Sequence, residues 1–406
     1  MGLWLCVFLR AARAAKEVLE GWFEAAFFLP RESPPRVGAG TAVPPQRVLI
    51  VKPDGLGDLV MAVPFLRGLR ESFPKAFLTA VVPPACASLL ENCPYVDEVL
   101  PFANKWKPAL RFRGIGRARS FAEKFLAPRH FDLAVLPRWD VDYYHGGLLI
   151  QGSGAGVRAG FSNLVSAQKR ALNPGYDRFY TLAALGGGGL HEVHRNLELL
   201  RQMGGTASGD RLEFWPGPGD TEAVDRVLSE QGIDAGEKLV ALGVGATRAV
   251  KRWPLERYAE LARWLRERFG ARLLILGSNQ DRLEGDRLKS LAGTGVHNLA
   301  GLLSLRQSEV VLSRCRLFIG NDSGTKHLAA AAGCPVVEIS WVPEGGDAEL
   351  DSPGRFHAFG VPTRVLRPAP DSFFCENKCA ALFPHCVLRI GLEDVKQAAA
   401  ELMKPG

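Results

Sequence analysis

The sequence predicts an α/β protein built from two doubly wound parallel sheets. Three observations lead there. Short apolar runs recur at helix-separated intervals in both halves, as the strands of parallel sheets do. Several of these runs end in glycine-bearing polar loops that open into helices. A Gly/Pro-rich stretch, Gly204–Asp220, divides the two series. A chain of 406 residues has room for two full cores. The expected divisions are residues 1–46 (an N-terminal helix and linker), 47–215 and 216–406.

Leu3–Leu9 is apolar but has no basic residue before it and is too short to span a bilayer, so it is not a standard signal peptide. Arg10, Arg13, Glu17, Glu20 and Glu24 then form one polar stripe of a helix, and Trp4, Phe8, Val18, Leu19, Trp22, Phe23 and Phe27 cover the rest. Such an amphipathic helix lies either in a membrane interface or against the protein's own body or a second copy. Pro30–Gln46 reads as a linker.

In the first half, Arg47–Val51 is an apolar strand that runs into Lys52-Pro53-Asp54-Gly55-Leu56-Gly57-Asp58. A helix is expected from Leu59 to Phe73. Gly55 and Gly57 are read as allowing a tight turn and close approach of a substrate. The loop lacks the Gly-Lys-Ser/Thr ending of a phosphate-binding P-loop. Asp58, near the helix start, is either a helix cap or a general base for a bound hydroxyl. Phe77–Val82, Glu98–Pro101 and Asp132–Leu136 continue as strands.

From Lys105 to Arg129 the chain is strongly basic, with Arg111, Arg113, Arg117, Arg119 and Lys124 against the single acid Glu123. With Trp106, Phe112 and Phe121 interleaved, it is read as a surface for a phosphorylated acceptor or an anionic membrane, the alternative being a solvated helix. No nucleic-acid module accompanies it, so nucleic acid is not expected as a partner. The net charge of +7 agrees with an anionic partner. His191-Glu192-Val193-His194 spaces its histidines three apart, not the four of a zinc protease helix. Asn196–Met203 reads as a core helix.

In the second half, Leu239–Leu242 is a strand ending in Gly243-Val244-Gly245-Ala246-Thr247-Arg248, followed by Lys251 and Arg252. Pro254, at a first helical position, opens a helix to Phe269. Lys251 stands where a cation and free N–H groups converge on a phosphate. Arg272–Leu276 and Val296–Leu299 are strands, and Ser304–Ser313 is a helix. Leu317–Ile319 is a strand, Asn321-Asp322-Ser323-Gly324 a loop, His327–Ala332 a small-residue helix and Pro335–Ile339 the next strand. Asp322 or Ser323 either caps that helix or belongs to an anion site at its N-terminus. An acid in the first half, with a lysine and an Asp-Ser-Gly helix start in the second, suits transfer from a nucleotide-activated donor. No G-x-G-x-x-G opens either half, which weighs against a dinucleotide oxidoreductase.

The stretches RVLIVKPDGLGDLVMAVPFLRGLRESFP, TRAVKRWP and GNDSGTKHLAAAAGCPVV resemble, in that order, the motifs of glycosyltransferase family 9, the lipopolysaccharide heptosyltransferases. The likeness runs from about Arg47 to the C-terminus. It implies a GT-B architecture, two Rossmann-like domains facing across a cleft, with inversion at the sugar and no required metal. It implies Asp58 as base, with Gly55 and Gly57 beside it. It places Thr247 and Lys251 on the donor diphosphate, and Asp322, Ser323, Gly324 and His327 on the donor sugar and phosphates. A further donor-side acid is expected after Gly277, and Asp281 and Glu284 both fit. Lys326 sits where the family is usually uncharged, and Ser340-Trp341-Val342 replaces a Gly-Pro-Thr turn.

The implied partners are a nucleotide-sugar donor, an anionic lipid-linked or saccharide acceptor and the inner-membrane surface. The eight cysteines form no regular disulfide framework, which favours a reducing setting. The expected location is cytoplasmic, with a peripheral place on the cytoplasmic membrane face. Cys375, Cys379, His385 and Cys386 supply enough donors for a structural metal, though C-x3-C-x6-C is not a common zinc spacing, and a local disulfide or free thiols is the competing reading. Two alternatives to transfer stay open: a nucleotide-sugar epimerase or hydrolase, and a non-catalytic nucleotide-binding homologue.

Overall fold

The structure is a computed structural model that describes residues 15, 16, 18, 19, 44–103, 111–234, 236–345, 352–369 and 385–404. Most of the N-terminal amphipathic stripe, most of the linker, Lys105, Trp106, Cys375 and Cys379 lie outside these residues. The chain divides into two compact units, Met1–Asp210 and Arg211–Gly406.

The first unit holds six parallel strands: β1 (Arg47–Val51), β2 (Phe77–Val82), β3 (Glu98–Pro101), β4 (Leu133–Leu136), β5 (Val157–Phe161) and β6 (Leu182–Ala184), in the order β3-β2-β1-β4-β5-β6. The second holds β7 (Leu239–Gly243), β8 (Arg272–Ile275), β9 (Val296–Asn298), β10 (Cys315–Asn321), β11 (Val336–Ile339) and β12 (Thr363–Leu366), in the order β12-β11-β10-β7-β8-β9. Each sheet is therefore doubly wound, and its strand order reverses between its two central strands. Those are β1 and β4 in one unit and β7 and β10 in the other. Ligands of open parallel sheets bind beyond the carboxyl ends of strands at that reversal. The topology alone thus directs attention to the loops after β1, β4, β7 and β10.

The central strands are apolar along their length because helices cover both faces. Val48–Val51, Leu133–Leu136 and Leu239–Gly243 are wholly buried. In the second unit β7, β8, β10 and β11 pack with Trp253 and with Tyr258, Leu261 and Leu265 of the helix Leu255–Phe269.

Several local expectations need correction. The single helix expected from Leu59 to Phe73 is two, Leu56–Val60 and Val63–Ser72. Pro64 lies in the first turn of the second helix, where its missing N–H does no harm but would break a continuous ladder. The core helix begins at Glu192, not Asn196, and ends at Gln202. His191 is its N-cap, with Nδ1 accepting from Val193 N at 3.2 Å. Pro254 is the residue before the first helical position rather than the position itself. β5, β6 and β12 were not anticipated. β6 and β12 are short, half-buried outer strands with weak apolar signal, and β5 carries Arg158 and Gly160.

Candidate functional site

In the first unit the chain leaves β1 through Lys52, whose amide donates to Val81 O at 2.9 Å. Its ammonium turns inward, donating to Pro137 O at 2.9 Å and pairing with Asp54 at 3.0 Å. Arg138, just after β4, pairs with the other oxygen of Asp54 and with Asp140 at 2.7 Å, and donates through Nε to Val141 O at 2.6 Å. Lys52 and Asp54 are each 2% exposed. Two cations from adjacent central strands thus clasp one buried carboxylate beneath the β1 loop. Burial lowers the Lys52 pKa, and the charges of Asp58 and Glu192 oppose that fall.

Asp58 stands above this cluster in the first turn of Leu56–Val60 and is half-buried. It is not a cap: Gly55 holds the N-cap position, and no side chain caps this helix. Gly55 is extended at φ −75° and Gly57 is helical, so the turn does not depend on left-handed glycine backbone. Burial raises the pKa of Tyr144 and pushes the Cys86 thiol up to about 11, and the charge of Asp58 adds to both shifts.

In the second unit the loop after β7 is fixed by Asn321, the fully buried last residue of β10. Its Oδ1 accepts from Trp253 N at 3.0 Å and from the Tyr258 hydroxyl at 3.1 Å, and its Nδ2 donates to Val244 O at 2.7 Å. Gly243 and Gly320 are register partners on β7 and β10, and a Cβ on either would strike the Phe318 ring, at 2.4 and 2.7 Å. The strand ends therefore close up, and Lys251 in the turn Ala249–Lys251 reaches Asp322. Lys251 Nζ lies 2.6 Å from Asp322 Oδ2, and Lys326 Nζ lies 2.6 Å from Oδ1. Lys326 also pairs with Glu338 of β11 at 2.6 Å. Burial alone would raise the Asp322 carboxyl, but Lys326 and Lys251 hold it well below the usual carboxylate range.

Ser323 is the N-cap of the helix Gly324–Ala331, yet its side chain makes no capping bond. Its Oγ is buried with no hydrogen-bond partner among the described residues. Asp322 is occupied with lysines, so neither residue does the capping work that was the plain alternative. His327 is buried one turn into the helix. Trp341 lies beside the cations, its ring centroid 4.6 Å from the Arg248 guanidinium and 5.5 Å from the Lys251 ammonium. Thr247 is on the exposed part of the β7 loop.

Lys251, Asp322, Ser323 and Gly324 are thus brought together, and Asp58 belongs to the other unit. Of the two acids after Gly277, Asp281 accepts from Ser278 N and Oγ at 2.8 Å each and rests against Gly245, where a Cβ would meet its Oδ1 at 2.2 Å. Glu284 pairs with Arg252 at 2.9 Å, and Arg252 also holds Ala246 O. Among the described residues no group of three or more His, Cys, Asp or Glu could hold a metal ion. Sequence reasoning assigned no role to Lys52, Asp54, Arg138, Glu338 or Asn321. Glu338 carried a readable signal: an acid inside the buried strand VVEI needs a buried cation.

A sequence profile for glycosyltransferase family 9 (heptosyltransferase) matches residues 145–339. Lipopolysaccharide heptosyltransferase 2 of Escherichia coli K12 is 26% identical over 306 residues, which are 72% of this chain and 82% of that protein. The crystal structure of a family 9 glycosyl transferase from Veillonella parvula superposes with a TM-score of 0.71 at 22% identity, covering 88% of this chain and 97% of that one. Escherichia coli ADP-heptose LPS heptosyltransferase II gives 0.65 at 21%, covering 88% and 98%. The fold is GT-B-like, and the protein is a glycosyltransferase. Its likeness to glycosyltransferase family 9 spans residues 145–339 in the family profile and 72% of the chain in the heptosyltransferase 2 relative.

Proposed function

We propose that this protein transfers a heptosyl group from ADP-heptose to a lipopolysaccharide-core acceptor, with inversion at the sugar. The observation that carries the reading is the Lys251–Asp322 pair, at 2.6 Å, set beside a helix N-terminus at the reversal point of the second sheet. Lys251 and the first amides of Gly324–Ala331 are suited to the charge that develops on a leaving diphosphate. Ser323 Oγ, buried and unpaired in the described residues, supplies a further donor there. Thr247 and His327 serve the same donor side, together with one of Asp281 and Glu284.

Asp58 takes the proton of the acceptor hydroxyl. The freed oxygen attacks the anomeric carbon, the bond from that carbon to the diphosphate oxygen breaks, and ADP leaves. No step in this scheme uses a metal. Names of relatives support the donor: one is called an ADP-heptose heptosyltransferase. The anionic acceptor is supported by exposed Arg113, Arg117, Arg119 and Lys124 on Arg111–Phe121 and the turn after it. The same surface suits a place on the cytoplasmic face of the inner membrane. No described helix is long and apolar enough to cross a membrane.

The test is ADP release from ADP-heptose, with and without a lipopolysaccharide-core acceptor. Acceptor-dependent release, lost in Asp58→Asn, is the expected result. Release that ignores the acceptor would favour a hydrolase or epimerase. ADP binding without turnover, unchanged in Asp58→Asn, would favour a non-catalytic homologue.

A further inference from the structure

Lys326 and Glu338 form an ion pair deeper than the proposed donor site needs for its own sake. The Lys326 side chain is 0% exposed and Glu338 is 1% exposed, whereas Lys251 keeps 16% and Asp322 keeps 14%. Asp322 is thus held from two sides. Lys251 touches it from the solvent side, and Lys326 touches it from the protein side, itself pinned by a carboxylate of β11. With Lys251 resting on Asp322, the four charges sum to zero.

A diphosphate changes that balance. Lys251 must leave Asp322, at least in part, to meet the phosphates. The Trp341 ring, 5.5 Å away, gives it a second favourable seat. A carboxylate left bare at that moment would repel the arriving anion across a poorly solvated gap. Lys326 cannot follow Lys251 out, because it is fully buried and bonded to Glu338 at 2.6 Å.

The geometry points to a division between the two lysines: Lys251 is the movable cation that meets the diphosphate, and Lys326, anchored by Glu338, is a fixed counter-ion that keeps Asp322 neutralised while Lys251 is away. Lys326 is on this account a positioning residue. The inference rests on the reading that a nucleoside diphosphate occupies this site.

The experiment measures ADP affinity by calorimetry and donor kinetics for wild type, Lys251→Ala, Glu338→Gln and the double variant Lys326→Met/Glu338→Gln. The double change removes both buried charges, so neither is stranded. The double variant is expected to bind ADP at least about tenfold more weakly. Its KM for donor should rise by a similar factor while kcat stays within about threefold, because the repulsion acts on bound substrate and transition state alike. Glu338→Gln, which keeps Lys326, should bind ADP as tightly as wild type or slightly better. It also decides the matter if the double variant does not fold: a tenfold loss in Glu338→Gln would overturn the proposal. Wild-type ADP affinity in a folded double variant, with Lys251→Ala still impaired, would overturn it and leave the donor site standing. Failure of wild type to bind ADP would remove the donor site, and this proposal with it.

Discussion

The loop after β1 and the loop after β10 each hold a carboxylate between two cations, but an acid stands half-buried beside the first clasp and a part-exposed lysine belongs to the second. In the first, Lys52 and Arg138 clasp Asp54, and the half-buried group above them is the carboxylate of Asp58. In the second, Lys251 and Lys326 clasp Asp322, and of the two cations it is Lys251 that keeps contact with solvent, its side chain 16% exposed beside an Asp322 side chain at 14%. Both clasps stand at the strand-order reversal of their sheet, where the backbone ends supply the frame. A similar clasp thus supports an acid in one unit and a cation in the other. Those are the two charges the proposed transfer asks for, a base for the acceptor and a clamp for the leaving diphosphate.

The comparison can be broken most directly at Asp58. Asp58→Asn keeps the shape and removes the basicity, so kcat should fall by about 10²–10⁴-fold with donor affinity unchanged. Steady-state ADP release at saturating donor checks this. Next in size is the clasp of the second unit. Lys326→Met alone strands Glu338 and half of Asp322 in the interior, and should lower unfolding free energy by about 3–5 kcal/mol in denaturant titrations.

A carboxylate buried with no cation paired to it among the described residues sharpens the contrast. Burial pushes Glu309, on the helix Leu305–Arg314, up to about 7. Its folded form holds the proton more tightly than the unfolded chain does. Its contribution to stability is therefore full below the ordinary glutamate value and is lost as pH rises through about 7. Glu309→Gln should remove that dependence and gain on the order of 2 kcal/mol at pH 8, read from melts across pH 4–9. The smallest effect is expected at Ser304, which caps the same helix in a reciprocal box with Gln307, the two bonds measuring 3.1 and 3.0 Å. Ser304→Ala should cost about 1 kcal/mol and leave donor affinity alone.

Much of the fold was legible in the sequence because its central strands are continuous apolar runs bounded by glycine and polar residues. Arg47–Val51, Phe77–Val82 and Leu239–Leu242 needed nothing beyond that pattern. β6 and β12 were illegible because an outer strand buries little and can be three or four residues long. The break at Met61–Ala62 was missed because Pro64 can sit in a first helical turn as readily as it can break a helix. At the candidate site, Lys251 and Asp322 were readable as residue types in loops, and their contact at 2.6 Å was not, since 71 residues separate them. That Gly55 and Ser323 hold the N-cap positions without a side-chain capping bond could be read only from coordinates. The clasp partners were the least legible. Lys52 and Arg138 sit just past buried strands, where a charge reads as a solvated loop residue until its burial is known.

The acid of one unit and the cation of the other are expected to do separable work. The most direct measurement is ADP affinity and acceptor-dependent turnover of Asp58→Asn and Lys251→Ala side by side. The account predicts wild-type ADP affinity without turnover for Asp58→Asn, and ADP affinity weakened by at least about tenfold for Lys251→Ala. Full turnover in Asp58→Asn, or unchanged ADP affinity in Lys251→Ala, would contradict it.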